Sequence, residues 1–255
     1  MGKIKFFICM MLVLAVPSSA MGFLPLVDVE AAIGVHRPSP SGSLGAGGDP
    51  LLDIEDDFSL GSETEWFGRL KVDMPFIIPN GYLWVNPVTF SSSTTDSFTF
   101  KGKEFDGRDG RIDTKLKLDH YDFALYYSIP ILKRATLDRL NVDAGLNFRY
   151  IDARARVSQS ESDRSASESM SIVIPQIYLG AQFQPVERIS LEAEARAITY
   201  MGDRSYSLAG RVKAGVFGPL FVAGGYRYDD YDIEKGGLEL DFNFSGPFME
   251  AGVTF

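Results

Sequence analysis

The stretch Gly237 to Phe255, GLELDFNFSGPFMEAGVTF, alternates to its last residue. Met249, Ala251 and Val253 fall on one face, and Glu250, Gly252 and Thr254 on the other. Successive side chains of an extended strand point to opposite faces, so this is a strand with one apolar face and one polar or small face. The same two-residue period recurs in Val27-Val29-Ala31-Ile33-Val35, in Trp66-Gly68-Leu70-Val72, in Tyr121-Phe123-Leu125-Tyr127, in Val142 to Tyr150 and in Leu191 to Ala197. A chain written this way over most of its length is confined to antiparallel sheet.

Residues 1 to 22 differ. Lys3 and Lys5 precede an unbroken apolar run from Phe6 to Val16, followed by the small residues Ser18, Ser19 and Ala20. This is the pattern of a secretory signal peptide spanning residues 1–20, with Gly22 as the alternative cleavage site. The run is too short for a spanning helix, which needs about 20 apolar residues. Cys9 lies inside the segment, so the exported chain carries no cysteine and relies on no disulfide.

Loss of Lys3 and Lys5 moves the formal charge from −9 to −11, which argues against nucleic acid as a partner. No later segment approaches 18 consecutive apolar residues, and mean hydropathy is near zero. The spanning structure still allowed is a closed barrel, in which half of the residues face a polar interior. The 11 Tyr and 19 Phe suit the aromatic girdles of such a barrel.

Residues 21–255 therefore read as a transmembrane antiparallel up-and-down barrel. Ten strands is the favoured count, and eight holds if two hairpins are mere extensions. Residues 37–63, rich in Gly, Ser and Pro and then acidic, read as a long extracellular loop, with a short helix over Leu51 to Leu60 capped by Asp49. PFIIPNG at 75–81, Pro130 to Asp138, QPVER and FGPL read as periplasmic turns. A third strand runs from Tyr82 to about Phe105, DGRDG at 106–110 is a hairpin turn, and SQSESDRSASES at 158–169 is an outer loop.

A terminal strand that ends in Phe255, together with the signal peptide, resembles bacterial outer-membrane β-barrels. That resemblance implies location in the cell outer membrane, contact with its lipid and lipopolysaccharide, and recognition of Phe255 as an assembly signal by the barrel-assembly machinery. LLDIEDDFSL, HYDFALYYSIP and GGLELDFNFSGPF further resemble an uncharacterised outer-membrane barrel family with a Gly-Gly pair near the carboxyl end. Membership of that family implies no reaction, substrate or cofactor.

The inward faces collect Asp73, Asp122, Asp143, Glu192, Glu194 and Glu250 against Arg69, Lys71, Arg149, Arg196, Arg211, Lys213 and Arg227, with Asp28, Glu30 and Glu65 near the strand ends. In a pore these would set selectivity. In a barrel narrow enough for side chains to fill, they form a salt-bridged plug, which is the favoured reading. The loop carboxylates Asp49, Asp53, Glu55, Asp56 and Asp57, and later Asp229, Asp230, Asp232 and Glu234, lack a calcium-loop pattern and read as solvated, so no metal is expected. His120 and Asp122 share a face and make the one inward His-carboxylate pair, the basis of an alternative in which a rim site modifies lipid or cleaves protein. The favoured function is non-enzymatic: an envelope-structural barrel, or one that passes small solutes.

Overall fold

The computed structural model describes residues 27–46, 51–75, 77–137, 139–200, 203–235 and 238–255. The signal segment, Asp49 and the Gly236-Gly237 pair lie outside these residues. The strands are β1 (Asp28–His36), β2 (Ser39–Ala46), β3 (Leu52–Asp53), β4 (Glu65–Asp73), β5 (Asn80–Asn86), β6 (Thr89–Thr94), β7 (Phe98–Phe100) and β8 (Lys103–Phe105). They continue as β9 (Ile112–Ser128), β10 (Leu140–Gln159), β11 (Arg164–Val186), β12 (Ile189–Tyr200), β13 (Asp203–Phe217), β14 (Leu220–Lys235) and β15 (Leu238–Thr254). One short helix, α1 (Pro130–Ala135), joins β9 to β10.

Each long strand pairs antiparallel with the next, and β1 pairs with both β4 and β15, from Glu30 opposite Thr254 to His36 opposite Phe248. The sheet is thus a closed barrel of ten staves. Both ends of the described chain lie on one rim, here called the lower. That rim carries the short connections, including the turn where Asn80 Oδ1 accepts the Met74 N–H at 2.8 Å. The upper rim carries the longer hairpins. Among the described residues no helix is long and apolar enough to cross a membrane.

Four segments differ from the sequence reading. The chain from Arg37 onward is still barrel wall: after a bend at Arg37-Pro38, β2 stays paired with β15, from Ser39 opposite Ser245 to Ala46 opposite Leu238. Leu51 to Leu60 forms no helix, because Asp53 accepts the N–H groups of Glu55 and Asp56, both at 2.8 Å, and locks a turn. The third strand stops at Thr94, and β7 and β8 fold on themselves as a separate hairpin; the 158–169 segment is mostly paired strand around a turn at 160–163.

The inside and the outside of the wall exchange polarity partway up. On β9 the lower outward residues are Tyr121, Phe123, Leu125 and Tyr127, all exposed, while His120, Asp122 and Tyr126 face inward and are buried. Above them the outward residues are Asp113, Lys115, Lys117 and Asp119, and the inward ones are Ile112, Thr114, Leu116 and Leu118. The lower belt continues around the barrel through Leu146, Ile177, Leu208, Val222 and Met249. From Tyr121 to Ile129 it spans about 27 Å along the chain, or about 21 Å of height at a strand tilt of ~40°, comparable to the ~25 Å band of a membrane barrel.

The upper interior is an apolar core. Phe58, Phe90, Phe98, Phe100, Phe105 and Phe242 pack there with Ile54, Val88 and Leu240. Phe58 meets the rings of Phe98 and Phe100 edge-on at 5.2 and 6.1 Å, so the 51–60 turn and the β7–β8 hairpin fill the upper mouth.

Gly42 on β2 has φ +114°, and a Cβ there would come within 2.2 Å of the Asp241 carbonyl oxygen. Gly42→Ala should lower the stability of the folded barrel by about 1–3 kcal/mol, read as a lower urea midpoint in lipid vesicles.

Candidate functional site

The lower interior, level with the apolar belt, is the candidate site. Alternation on β1, β4, β12, β13 and β15 brings Glu30, Arg69, Glu192, Glu194, Arg196, Arg211, Lys213 and Glu250 into one ion-paired layer. Arg69 donates to Glu250 through Nε and Nη2 at 2.9 and 2.6 Å, and its Nη1 lies 2.5 Å from Glu30. Lys213 reaches Glu30 at 2.6 Å and Glu192 at 3.0 Å. Arg211 donates to Glu192 at 2.6 Å and also to Glu194, which Arg196 holds from the other side at 2.9 Å.

A second group lies among β9, β10 and β14. Arg149 donates to both oxygens of Asp122, at 2.7 and 2.8 Å, and through Nη1 to Asp229 at 2.9 Å and the Tyr231 hydroxyl at 2.7 Å. Arg227 donates to Asp229 at 2.5 Å. Toward the lower rim, Lys71 lies 3.2 Å from Asp143, Ser128 donates to Asp143 at 2.7 Å, and Tyr126 donates to Asp73 at 2.6 Å.

Between these groups stands an aromatic column that charge patterning did not reveal. Trp84 stacks on Phe67 at 5.2 Å, and Tyr82, Tyr126, Tyr178 and Phe248 complete the cluster. The Arg196, Arg211 and Arg227 guanidinium groups lie 5.8, 5.9 and 4.7 Å from the Trp84 ring centroid. A desolvated arginine over an indole face gains on the order of 2 kcal/mol, so Trp84 supplies an electrostatic partner as well as volume. The available signal was parity: Tyr82 and Trp84 alternate inward along β5.

Most of the charged residues named from sequence are therefore together; Glu65 stands apart at the upper end of β4, opposite His36, and two others differ. Asp229, grouped with the solvated loop carboxylates, is fully buried and paired with Arg149 and Arg227. Asp28 is exposed at the lower rim and makes no part of these layers. Among the described residues no three metal-ligating side chains converge.

The His120–Asp122 pair does not form. His120 Nδ1 lies 3.2 Å from the Leu118 carbonyl, to which it must donate, leaving Nε2 to accept from Asn86 at 2.6 Å. Asp122 is taken by Arg149 and Asn147. Ser128, on the same face, is held by Asp143. His36 is buried edge-on against Phe67 at 5.9 Å. Neither histidine has the carboxylate and hydroxyl partners that activate a nucleophile. Phe255 closes the lower rim: its N–H donates to the Val29 carbonyl, and its carbonyl accepts the Val29 N–H, both at 2.9 Å.

No protein-family model and no curated protein sequence matches the chain. Among solved structures it is similar to Ail, the attachment invasion locus protein of Yersinia pestis, at 11% identity and TM-score 0.40, covering 89% of this chain and 99% of that one. It is also similar to the translocator domain of the autotransporter NalP from Neisseria meningitidis, at 11% identity and TM-score 0.44, covering 90% and 88%. A third is a FadL homologue from Pseudomonas aeruginosa, at 12% identity and TM-score 0.36, covering 92% and 91%.

Removing one member of a buried ionic group leaves the others uncompensated. Arg149→Met strips Asp122 of its two-pronged partner and leaves the Arg227 guanidinium 3.8 Å away; it should cost about 3–5 kcal/mol. Arg149→Met combined with Asp122→Asn should recover part of that loss, since the stranded charge is gone. Urea midpoints of the two variants in lipid vesicles check this order.

Proposed function

We propose that this chain is a non-enzymatic outer-membrane barrel that serves the envelope structurally and does not conduct solutes. The observation that carries the reading is the filled interior. Arg69, Arg149, Arg196 and Arg211 are buried in ion pairs at the level of the apolar belt, and Phe58, Phe90, Phe100 and Phe105 close the level above. A solute entering from the upper rim would have to displace an apolar core, then break buried salt bridges. The enzyme alternative loses its support with the His120–Asp122 pair, since each member is held by another residue.

Location in an outer membrane rests on the exposed apolar belt, the polar interior and the expected signal peptide. On this reading the lower rim faces the periplasm and the upper rim the outside. The barrel should fractionate with outer membranes and show heat-modifiable gel mobility; recovery as a soluble protein would refute that. In planar bilayers it should give no steady channel. A stable, ion-selective conductance would instead favour limited passage of small solutes.

Phe255 is proposed as the assembly signal, its backbone pairing with Val29 at the barrel seam. Deletion of Phe255 should reduce the amount of heat-modifiable barrel in the membrane fraction, while undiminished assembly in cells would remove this role.

A further inference from the structure

On the outward face of β9 and β10 the cross-strand pairs change character rung by rung. Leu125 opposes Leu146, Phe123 opposes Phe148, Tyr121 opposes Tyr150, Asp119 opposes Asp152, Lys117 opposes Arg154 and Lys115 opposes Arg156. The tyrosine rings, 6.1 Å apart, mark the upper edge of the apolar belt. Lys117 lies against Asp119 and 3.9 Å from Asp152, so it compensates the acidic rung. Lys115, Arg154 and Arg156 are exposed and make no ion pair or side-chain hydrogen bond among the described residues. Lys115 and Arg156 border a surface depression of about 470 Å³ that Ser91, Ser93, Asp113 and Ser158 also line. Asp113, the carboxylate there, accepts the Ser93 hydroxyl.

Three unpaired cations beside a hydroxyl-rich hollow suit phosphate groups. Their height selects the carrier. Arg154 stands four residues above the tyrosine rung, and Lys115 and Arg156 stand six. At ~3.4 Å per residue and a strand tilt of ~40°, that places the cations about 10–16 Å above the aromatic edge. A phospholipid headgroup layer extends only about 6 Å beyond the hydrocarbon, so its phosphate lies too low. A phosphorylated saccharide headgroup reaches that level. The opposite flank excludes such a partner, because Asp230, Asp232, Glu234, Glu239 and Asp241 point outward from β14 and β15, with Arg204 the nearby cation at 3.5 and 3.7 Å from Asp230 and Asp232.

We propose that Lys115, Arg154 and Arg156 form a docking site on the β9–β10 flank for the sugar-borne phosphates of an anionic glycolipid, the chemical class of lipopolysaccharide. The inference rests on the outer-membrane reading for where such a lipid is met, but the binding itself is measurable on purified barrel. Full-length mature barrel in a neutral detergent is titrated separately with lipopolysaccharide, the same lipopolysaccharide stripped of phosphate, phosphatidylglycerol and inorganic phosphate. The variants are K115Q/R154Q/R156Q, the single R156Q, and a lower-rim control, R134Q/R139Q, with heat-modifiable mobility confirming the fold of each.

The triple variant should bind lipopolysaccharide at least about tenfold more weakly, and R156Q should fall between it and the wild type. The lower-rim control should stay within about twofold of the wild type, and loss of phosphate from the lipid should reproduce the defect. Equal affinity of the triple variant, an equal defect in the control, or phosphatidylglycerol binding as tight as lipopolysaccharide would each overturn the proposal. Displacement by inorganic phosphate at its own low concentration would reduce the site to one for free anion and overturn it as well. None of these results bears on where the protein resides, which fractionation reads separately.

Discussion

The pairing of β1 with β15 is the contact on which everything else depends. Backbone polar groups in hydrocarbon have no water to bond with, so a spanning sheet is stable there only without free edges. The seam from Glu30–Thr254 to His36–Phe248, continued above the bend by β2, removes the last two edges. Closure also fixes the interior: with ten staves, inward side chains reach one another across the barrel, as Arg149 of β10 does with Asp229 of β14.

That contact makes the lower interior one coupled set of charges. Glu30 is shared by Arg69 and Lys213, Glu194 by Arg196 and Arg211, and Asp229 by Arg149 and Arg227. Such groups cost desolvation energy, and their gain over an apolar filling is small or negative. What they provide is register. A strand slipped by one residue would turn its charges into lipid and strand their partners inside, so the network selects a single arrangement of the staves.

The membrane-level half of this architecture was legible because its two faces differ. Tyr121-Phe123-Leu125-Tyr127 against His120-Asp122-Ala124-Tyr126 is a clean alternation, and it placed Arg69, Asp122, Arg149 and Glu194 inside. The upper half hid itself. In Ser165 to Ser171 and in Ser39 to Gly45 the outward residues are hydroxylic or small, and several inward ones are small too, so the period left no hydrophobic trace and the segments read as loops. Asp229 was misplaced for a related reason: DDYD looks like a solvated run unless parity is carried on from Arg227. The pairing of His120 with Asn86 depends on which neighbouring strand lies beside it, which one strand's alternation does not encode.

The exchange of polarity between the two faces of β9 also works as a depth gauge. Below the tyrosine rung the wall is apolar outside and polar inside; above it the same strands are built like a water-soluble β-protein, polar outside around a phenylalanine core. Sinking the barrel by one rung would draw Asp119 and Asp152 toward hydrocarbon, and by two rungs Lys117 and Arg154 as well; a Lys or Arg there costs up to about 2–4 kcal/mol near the midplane, an Asp less, and both less toward the interface. Raising it would expose the Phe123–Phe148 rung to water. On the outer-membrane reading, the barrel is therefore held at one height by the pattern of its own strands, with the phenylalanine core above the apolar belt.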